Sequence, residues 1–218
     1  ILTIIDTIVH NRKILDAVES IIGKNILVTG TTLFIKDPET KGFVSWHQDA
    51  KYIGLEPHNW VTAWLAITDA NKENGCMQMI SSSHNNPLVD HLDTYGKDNL
   101  LTRGQTIENV SFKDKVNVEL KAGQLSLHHP RIIHGSGPNL SKKRRIGLAI
   151  QSYISTDVKQ SFGKIWVQKA RGVDSFKNHS YAKRPNKTMD KKDIIFRKNV
   201  NLKLSEIFYA NSKQKGKY

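Results

Sequence analysis

Apolar residues recur at three- and four-residue intervals over the first 25 positions, then give way to short alternating or β-branched runs. Ile4, Ile8, Ile14, Leu15, Val18, Ile21 and Ile22 carry the first spacing, which predicts helix, and Gly23 offers a stop. Ile26 to Ile35 is rich in β-branched residues and ends at the turn Lys36-Asp37-Pro38-Glu39. Phe43 to Asp49 predicts the next strand. Asn59 to Ile67 alternates, with Val61, Ala63, Leu65 and Ile67 on one face and Thr62, Trp64 and Ala66 on the other. Met77 to Ile80, Val116 to Leu120, Gly123 to His128, Arg131 to Ser136 and Arg145 to Ile154 complete the strand series. A polar stretch from Ser81 to about Thr106 predicts a long loop or lid. Several short strands at regular spacing point to a mainly β sandwich or barrel. Beyond about residue 170 the pattern fades into basic, polar sequence with one helix expected near Val200–Tyr209.

At 218 residues the chain fits a single domain that needs no crosslinks, with a core at about 26–155 and a basic C-terminal extension at about 171–218. Cys76 is the only cysteine, so no internal disulfide forms and a reducing, cytoplasmic setting is expected. No apolar run approaches the ~20 residues that span a bilayer. The start, ILTIIDTIVH, is broken by Asp6 and lacks a basic leader, so no signal peptide is expected; residue 1 is isoleucine, which leaves open a missing native N-terminal piece. The net charge of +13 raises the question of nucleic acid. Much of it lies at the end, where Arg171 to Tyr218 holds thirteen Lys/Arg against four Asp/Glu. Nothing resembling an RNA- or DNA-binding signature interleaves aromatics with the basic residues, so a solvated lysine-rich surface is expected.

The candidate chemistry centres on Trp46-His47-Gln48-Asp49. If the strand runs through this tetrapeptide, His47 and Asp49 share a face and Gln48 points away. An imidazole and a carboxylate side by side, completed by a distant histidine, make a facial triad suited to non-haem iron(II) with open coordination positions. His128, His129 and His134 compete for the third place. His134 is favoured because Arg145 follows eleven residues later, across a turn from Gly137 to Lys143. Antiparallel pairing there returns a guanidinium, which grips carboxylates bidentately, towards the metal. Ser136 shares a face with His134, and Gly147 and Ala149 share one with Arg145, leaving room for a ligand.

The segments WHQD, VTAWLAITDANKENGCMQMI, SSSH, AGQLSLHHPRIIHGSGPN and RRIGLAI, within residues 43–151, resemble the phytanoyl-CoA dioxygenase superfamily of Fe(II)- and 2-oxoglutarate-dependent oxygenases. The resemblance implies a double-stranded β-helix (jelly-roll, cupin-like) core flanked by α-helices. It places the iron ligands at His47, Asp49 and His134, the co-substrate arginine at Arg145, a supporting hydroxyl at Ser136 and a pocket-wall aromatic at Trp64. Lys36, on the strand feeding the metal motif, is a further candidate for the co-substrate end. The implied reaction is a hydroxylation using O2 and 2-oxoglutarate and releasing succinate and CO2; the superfamily's halogenases lack the carboxylate that Asp49 supplies here. LLTRGQ, AGQLSLHH and VQKARGVDSF look most like the branch that includes 2-aminoethylphosphonate hydroxylases, which implies a small polar, anionic metabolite such as an aminoalkylphosphonate as substrate. Tyr52, Arg103 and Gln105 are the candidate substrate contacts. The family's Pro-Gly-Ser-His is Ser81-Ser82-Ser83-His84 in this chain. Two other classes share part of the pattern. A non-oxidative metal-dependent jelly-roll enzyme would have no use for Arg145, and a silent β-barrel binding module with a basic tail would need no ligand set.

Overall fold

The computed structural model describes residues 1–210 and 212. In chain order it contains helices α1 (Thr3–Val9) and α2 (Arg12–Ile22), strands β1 (Ile26–Val28), β2 (Thr31–Lys36) and β3 (Val44–His47), and helix α3 (Ala50–Ile53). There follow β4 (Leu55–Glu56), β5 (Trp60–Ala66), β6 (Met77–Ile80), β7 (Leu92–Asp93), β8 (Gln105–Thr106), β9 (Lys115–Val118), β10 (Leu125–His128) and β11 (His134–Ser136). The chain ends with β12 (Arg145–Ser155), β13 (Lys159–Gln160), β14 (Trp166–Arg171), β15 (Ser180–Tyr181) and helix α4 (Lys191–Phe208). Among the described residues no helix is long and apolar enough to cross a membrane.

The chain divides into two compact units: Ile1–Gly30 with Ile53–Val61 and Ile150–Tyr218, and Thr31–Tyr52 with Thr62–Ala149. In the first, the expected N-terminal helix is two helices. Asn11 breaks it, because its side chain accepts the Lys13 N–H at 2.9 Å and so starts α2 afresh. Leu15, Val18 and Ile22 form the buried stripe of α2, and Gly23 closes it at φ 87°. β1 pairs antiparallel with the second half of β12, Val28 opposite Tyr153, and with β14 on its other side. The Tyr153 hydroxyl donates to the carbonyl of Val9 at 2.6 Å and so ties down the end of α1. The C-terminal region is more ordered than its polar sequence suggests: β14 and β15 pair in parallel, and α4 begins at a cap on Asp190, nine residues before the expected helix. Residues 211 and 213–218 of the basic extension lie outside the described residues.

The second unit is a jelly roll of two sheets. β3, β11, β6 and β9 form one in the order β3-β11-β6-β9; β10, β5 and the first half of β12, joined by β2, form the other. Trp64, Ala66 and Ala149 from the second sheet pack with Met77, Cys76 and Ala70, flanked by Phe34, Met79 and Val118, so both sheets line one core. The stretch from Ser81 to Thr106, expected as a loop or lid, is fastened near its C-terminal end to β3 and to Phe43 just before it. Phe43 N–H donates to Asp98 O, Leu100 N–H to Phe43 O and Ile107 N–H to Trp46 O, all at 2.8–2.9 Å. Ser45 Oγ donates to Gln105 O at 2.5 Å and accepts from Asn99 Nδ2 at 2.8 Å. Asn99 and Gln105 are buried, so part of the polar composition serves internal hydrogen bonds.

Candidate metal centre

β3 stops at His47, and the chain turns there. Lys51 N–H donates to Gln48 O and Tyr52 N–H to Asp49 O, so Asp49 opens the turn into α3 instead of occupying the next pleat. The strand expected through Asp49 is therefore two residues shorter, and the turn delivers the carboxylate to the same side as His47. β11 pairs antiparallel with β3 in the register His47 opposite His134, which brings the two rings to 4.1 Å between centroids. Each imidazole donates its Nδ1–H to the carbonyl two residues upstream, His47 to Ser45 O at 2.8 Å and His134 to Ile132 O at 3.0 Å. That bond fixes the tautomer and leaves Nε2 as the free lone pair. His47, Asp49 and His134 are all buried, and one donor atom from each lies within 4.8 Å of the others. His47 Nε2 stands 3.4 Å from Asp49 Oδ1.

The charge of this cluster suits a divalent cation. Burial opposes ionisation of Asp49, yet the close His47 ring and the other neighbouring imidazoles hold its carboxyl well below the usual carboxylate range. Burial and the nearby His47 push His134 down to about 3. A buried carboxylate beside a neutral imidazole with its lone pair free is a donor set that fits iron(II). Asp49 is further held by hydroxyls: Tyr52 donates to Oδ1 and Thr62 to Oδ2, each at 3.1 Å. Tyr52 is thus at the centre, as expected, although bonded to a cluster residue. Thr62 was not singled out, since a strand threonine gives no signal until β5 is placed beside the turn.

Gln48 points away from the cluster and is fully buried. Its side chain donates to Arg131 O at 2.8 Å and accepts from Val89 N–H at 3.0 Å, and its backbone N–H donates to His91 Nε2. These bonds tie the end of β3 to the segment leading into His134. Of the rival histidines, His129 accepts the Arg131 N–H at 3.2 Å, lies tilted 5.5 Å from the His84 ring and is not one of the three donors. His128 is close, its ring 4.8 Å from that of His134, but it is not one of the three.

Two residues along β11 from His134, the second feature begins. The Lys36 ammonium, 1% exposed, donates to Ser136 Oγ at 2.7 Å and to the carbonyl of Gly137. Arg145 donates to Gly75 O at 3.0 Å and lies over the Trp64 ring at 5.3 Å, while its Nε–H has no partner among the described residues. No carboxylate forms an ion pair with either cation among the described residues. Burial first, and then the charge of Arg145, pushes Lys36 down to about 7; burial pushes Arg145 down to about 10. The space expected beside Gly147 is taken by protein, because a Cβ there would fall 1.9 Å from Trp64 Cζ2. Gly147 makes room for the indole on which Arg145 rests. Arg103 and Gln105 find partners inside the β7–β8 hairpin: Arg103 Nε lies 3.1 Å from Asp93, and Gln105 Oε1 accepts the Arg103 N–H. The structure brings Lys36, Ser136, Trp64 and Arg145 together and gives Arg103 and Gln105 a place in the hairpin.

A jelly roll in which two tautomer-fixed histidines and an aspartate converge beside two buried cations has the architecture of a metal-binding jelly-roll protein. Residues 2–147 match the phytanoyl-CoA dioxygenase (PhyH) family, and the chain belongs to it. It is 32% identical over 145 residues to a phytanoyl-CoA dioxygenase of Arabidopsis thaliana, covering 66% of this chain and 50% of the relative. It is 29% identical over 155 residues to a probable alpha-ketoglutarate-dependent hypophosphite dioxygenase of Stutzerimonas stutzeri, covering 70% and 54%. The chain thus spans about half the length of these curated relatives. Among solved structures it is similar to the non-heme monooxygenase ThoJ in its apo form, with TM-score 0.83 and 31% identity, covering 94% of this chain and 75% of that one.

Proposed function

We propose that residues 1–218 form one oxygenase domain that uses iron(II) and 2-oxoglutarate to hydroxylate a small, polar, anionic metabolite. The observation that carries this reading is a pair of buried cations, Lys36 and Arg145, with no acid paired to them among the described residues, placed beside the His47–Asp49–His134 cluster. Burying unpaired cations is costly unless an anion joins them. The offset between the two features fits a diacid. His134 to Ser136 along β11, and Thr62 to Trp64 along β5, are both two-residue steps, and two residues of strand advance about 6.5–7 Å. A five-carbon 2-oxo diacid has its chelating end and its far carboxylate separated on that scale.

In this reading His47, Asp49 and His134 hold the metal. Arg145, Lys36 and Ser136 grip the far carboxylate, and Trp64 backs the guanidinium. When bound, iron(II) and 2-oxoglutarate would activate O2, so that one oxygen atom enters a substrate C–H or P–H bond and the other enters succinate as CO2 leaves. The chain supplies placement. The Ser45 and Ile132 carbonyls keep both Nε2 lone pairs aimed inward. The Tyr52 and Thr62 hydroxyls hold Asp49 in its charged form. Lys36 holds a proton on Nζ once a carboxylate is beside it. The likeness to a hypophosphite dioxygenase supports a small phosphorus oxyanion or aminoalkylphosphonate as substrate, and Tyr52 is the candidate contact nearest the metal. Anaerobic titration of the iron(II)-loaded protein with 2-oxoglutarate should develop the weak visible charge-transfer band of a chelated 2-oxo acid. A saturating titration that leaves the spectrum featureless removes the reading. Succinate release across hypophosphite, 2-aminoethylphosphonate and related small anions then identifies the substrate class.

A further inference from the structure

His128 ends β10 in register with Thr62, the residue whose hydroxyl donates to Asp49 Oδ2. Its side chain therefore stands on the same sheet face as Thr62, on the side of Asp49. It is 6% exposed, and neither ring nitrogen has a hydrogen-bond partner among the described residues. Its surroundings offer none. Asp49 Oδ2 is 3.9 Å from His128 Nε2, beyond a hydrogen bond, and the Nδ1–H of the adjacent His134 is committed to Ile132 O. A neutral imidazole carries one N–H and one lone pair, and native proteins rarely leave such groups buried and unmatched. A fourth place on the metal does not account for it, because the three donor atoms that converge within 4.8 Å do so without His128.

We propose that His128 is a ligand-binding residue, donating a hydrogen bond to an oxygen of a small anion bound beside Asp49. This rests on the oxygenase reading and adds a residue to it. A carboxylate oxygen of the co-substrate and the polar head of the substrate share the chemistry His128 would recognise, and because they are added in separate steps their consequences are separable. Nothing in the sequence ranks this histidine above His129; only its register opposite Thr62 does.

The test uses wild type, His128→Phe, which keeps a ring without the N–H, and His128→Gln, which restores a donor. All three should bind iron(II) with the same stoichiometry and similar affinity, and thermal unfolding confirms that each is folded. In the first arm, 2-oxoglutarate is titrated anaerobically into each metal-loaded protein. If its carboxylate is the acceptor, affinity falls about tenfold in His128→Phe, the loss of one hydrogen bond, and largely returns in His128→Gln. In the second arm, hypophosphite and 2-aminoethylphosphonate are added to the metal and 2-oxoglutarate complexes. If the substrate head is the acceptor, the anion shifts the charge-transfer band of wild type and of His128→Gln but not of His128→Phe. The proposal is overturned if His128→Phe matches wild type in the first arm and either matches it in the second or has no wild-type shift to lose there. Loss of iron(II) binding in His128→Phe overturns it too, since that marks a metal ligand. A wild-type protein that binds metal but never develops the band counts instead against the oxygenase reading.

Discussion

Lys36 is where burial most directly sets a measurable property. Its amine is pushed down to about 7 by burial and by Arg145, so the free protein loses this proton as pH rises through about 7. A carboxylate arriving between the two cations favours the charged amine and raises its proton affinity. The complex then holds a proton that the free protein has shed. Affinity for 2-oxoglutarate should therefore be full below about pH 7 and weaken above it, by up to about tenfold per pH unit until the amine in the complex also titrates. Lys36→Met should bind more weakly and lose that slope. Calorimetric titrations of metal-loaded protein from pH 6 to 9 measure both, and equal slopes in the two proteins would take Lys36 out of the pocket.

Ser82 shows the same scale acting on stability. The family's Pro-Gly-Ser-His is Ser-Ser-Ser-His in this chain, and the serine in the glycine's place adopts φ 60° and ψ 2°. A non-glycine residue in left-handed backbone costs about 1–2 kcal/mol, partly offset by the roughly 0.5–1 kcal/mol of extra chain entropy that glycine loses on folding. Ser82→Gly should thus stabilise the protein by about 0.5–1 kcal/mol in urea unfolding, and a destabilised variant would show that the Ser82 side chain has a role of its own. The residues of the site were legible to the extent that each carried its own chemistry. His47, Asp49, His134 and Arg145 are reactive types in a recognisable order. Thr62, Gln48 and Gly147 are ordinary in sequence, and their roles exist only once strands pair.

At the level of elements, β5 and β12 decide whether Arg145 has a surface to rest on. Trp64 lies where a Cβ on Gly147 would intrude to 1.9 Å, and Arg145 rests on that indole. Gly147→Ala should displace the ring, costing about 1–3 kcal/mol as overpacking. Because Arg145 loses its support while His47, Asp49 and His134 are untouched, 2-oxoglutarate affinity should drop with metal affinity retained. Parallel metal and 2-oxoglutarate titrations check this split; an equal loss of both would mean that the strain spreads to β11. The strand pattern was largely visible because alternation and turn residues mark strand ends. Two departures share one cause. The 81–106 segment and the C-terminal region are polar, and polarity was read as exposure, whereas Asn99, Gln105 and Ser45 bond internally and α4 starts from the Asp190 cap. Hydropathy alone does not distinguish a solvated loop from one whose polar groups satisfy one another.

For the molecule as a whole, the most general consequence is linkage between ligand occupancy and unfolding. Three buried donors gather in the folded chain and disperse in the unfolded one, so metal binds mainly the native state. At free metal about 100 times its dissociation constant this contributes roughly 2.7 kcal/mol. For chains of this size each kcal/mol raises Tm by about 2–4 °C, giving an increase of roughly 5–11 °C that chelation reverses. The order of addition carries further information. Lys36 and Arg145 alone offer 2-oxoglutarate one anchored carboxylate, whereas with metal present both ends of the diacid are held. The co-substrate should therefore add a second increment in Tm to metal-loaded protein and a much smaller one to protein kept in chelator. If 2-oxoglutarate stabilises both forms equally, the cationic pocket and the His–Asp–His cluster serve separate ligands, and the diacid spanning them is wrong even if each site is real.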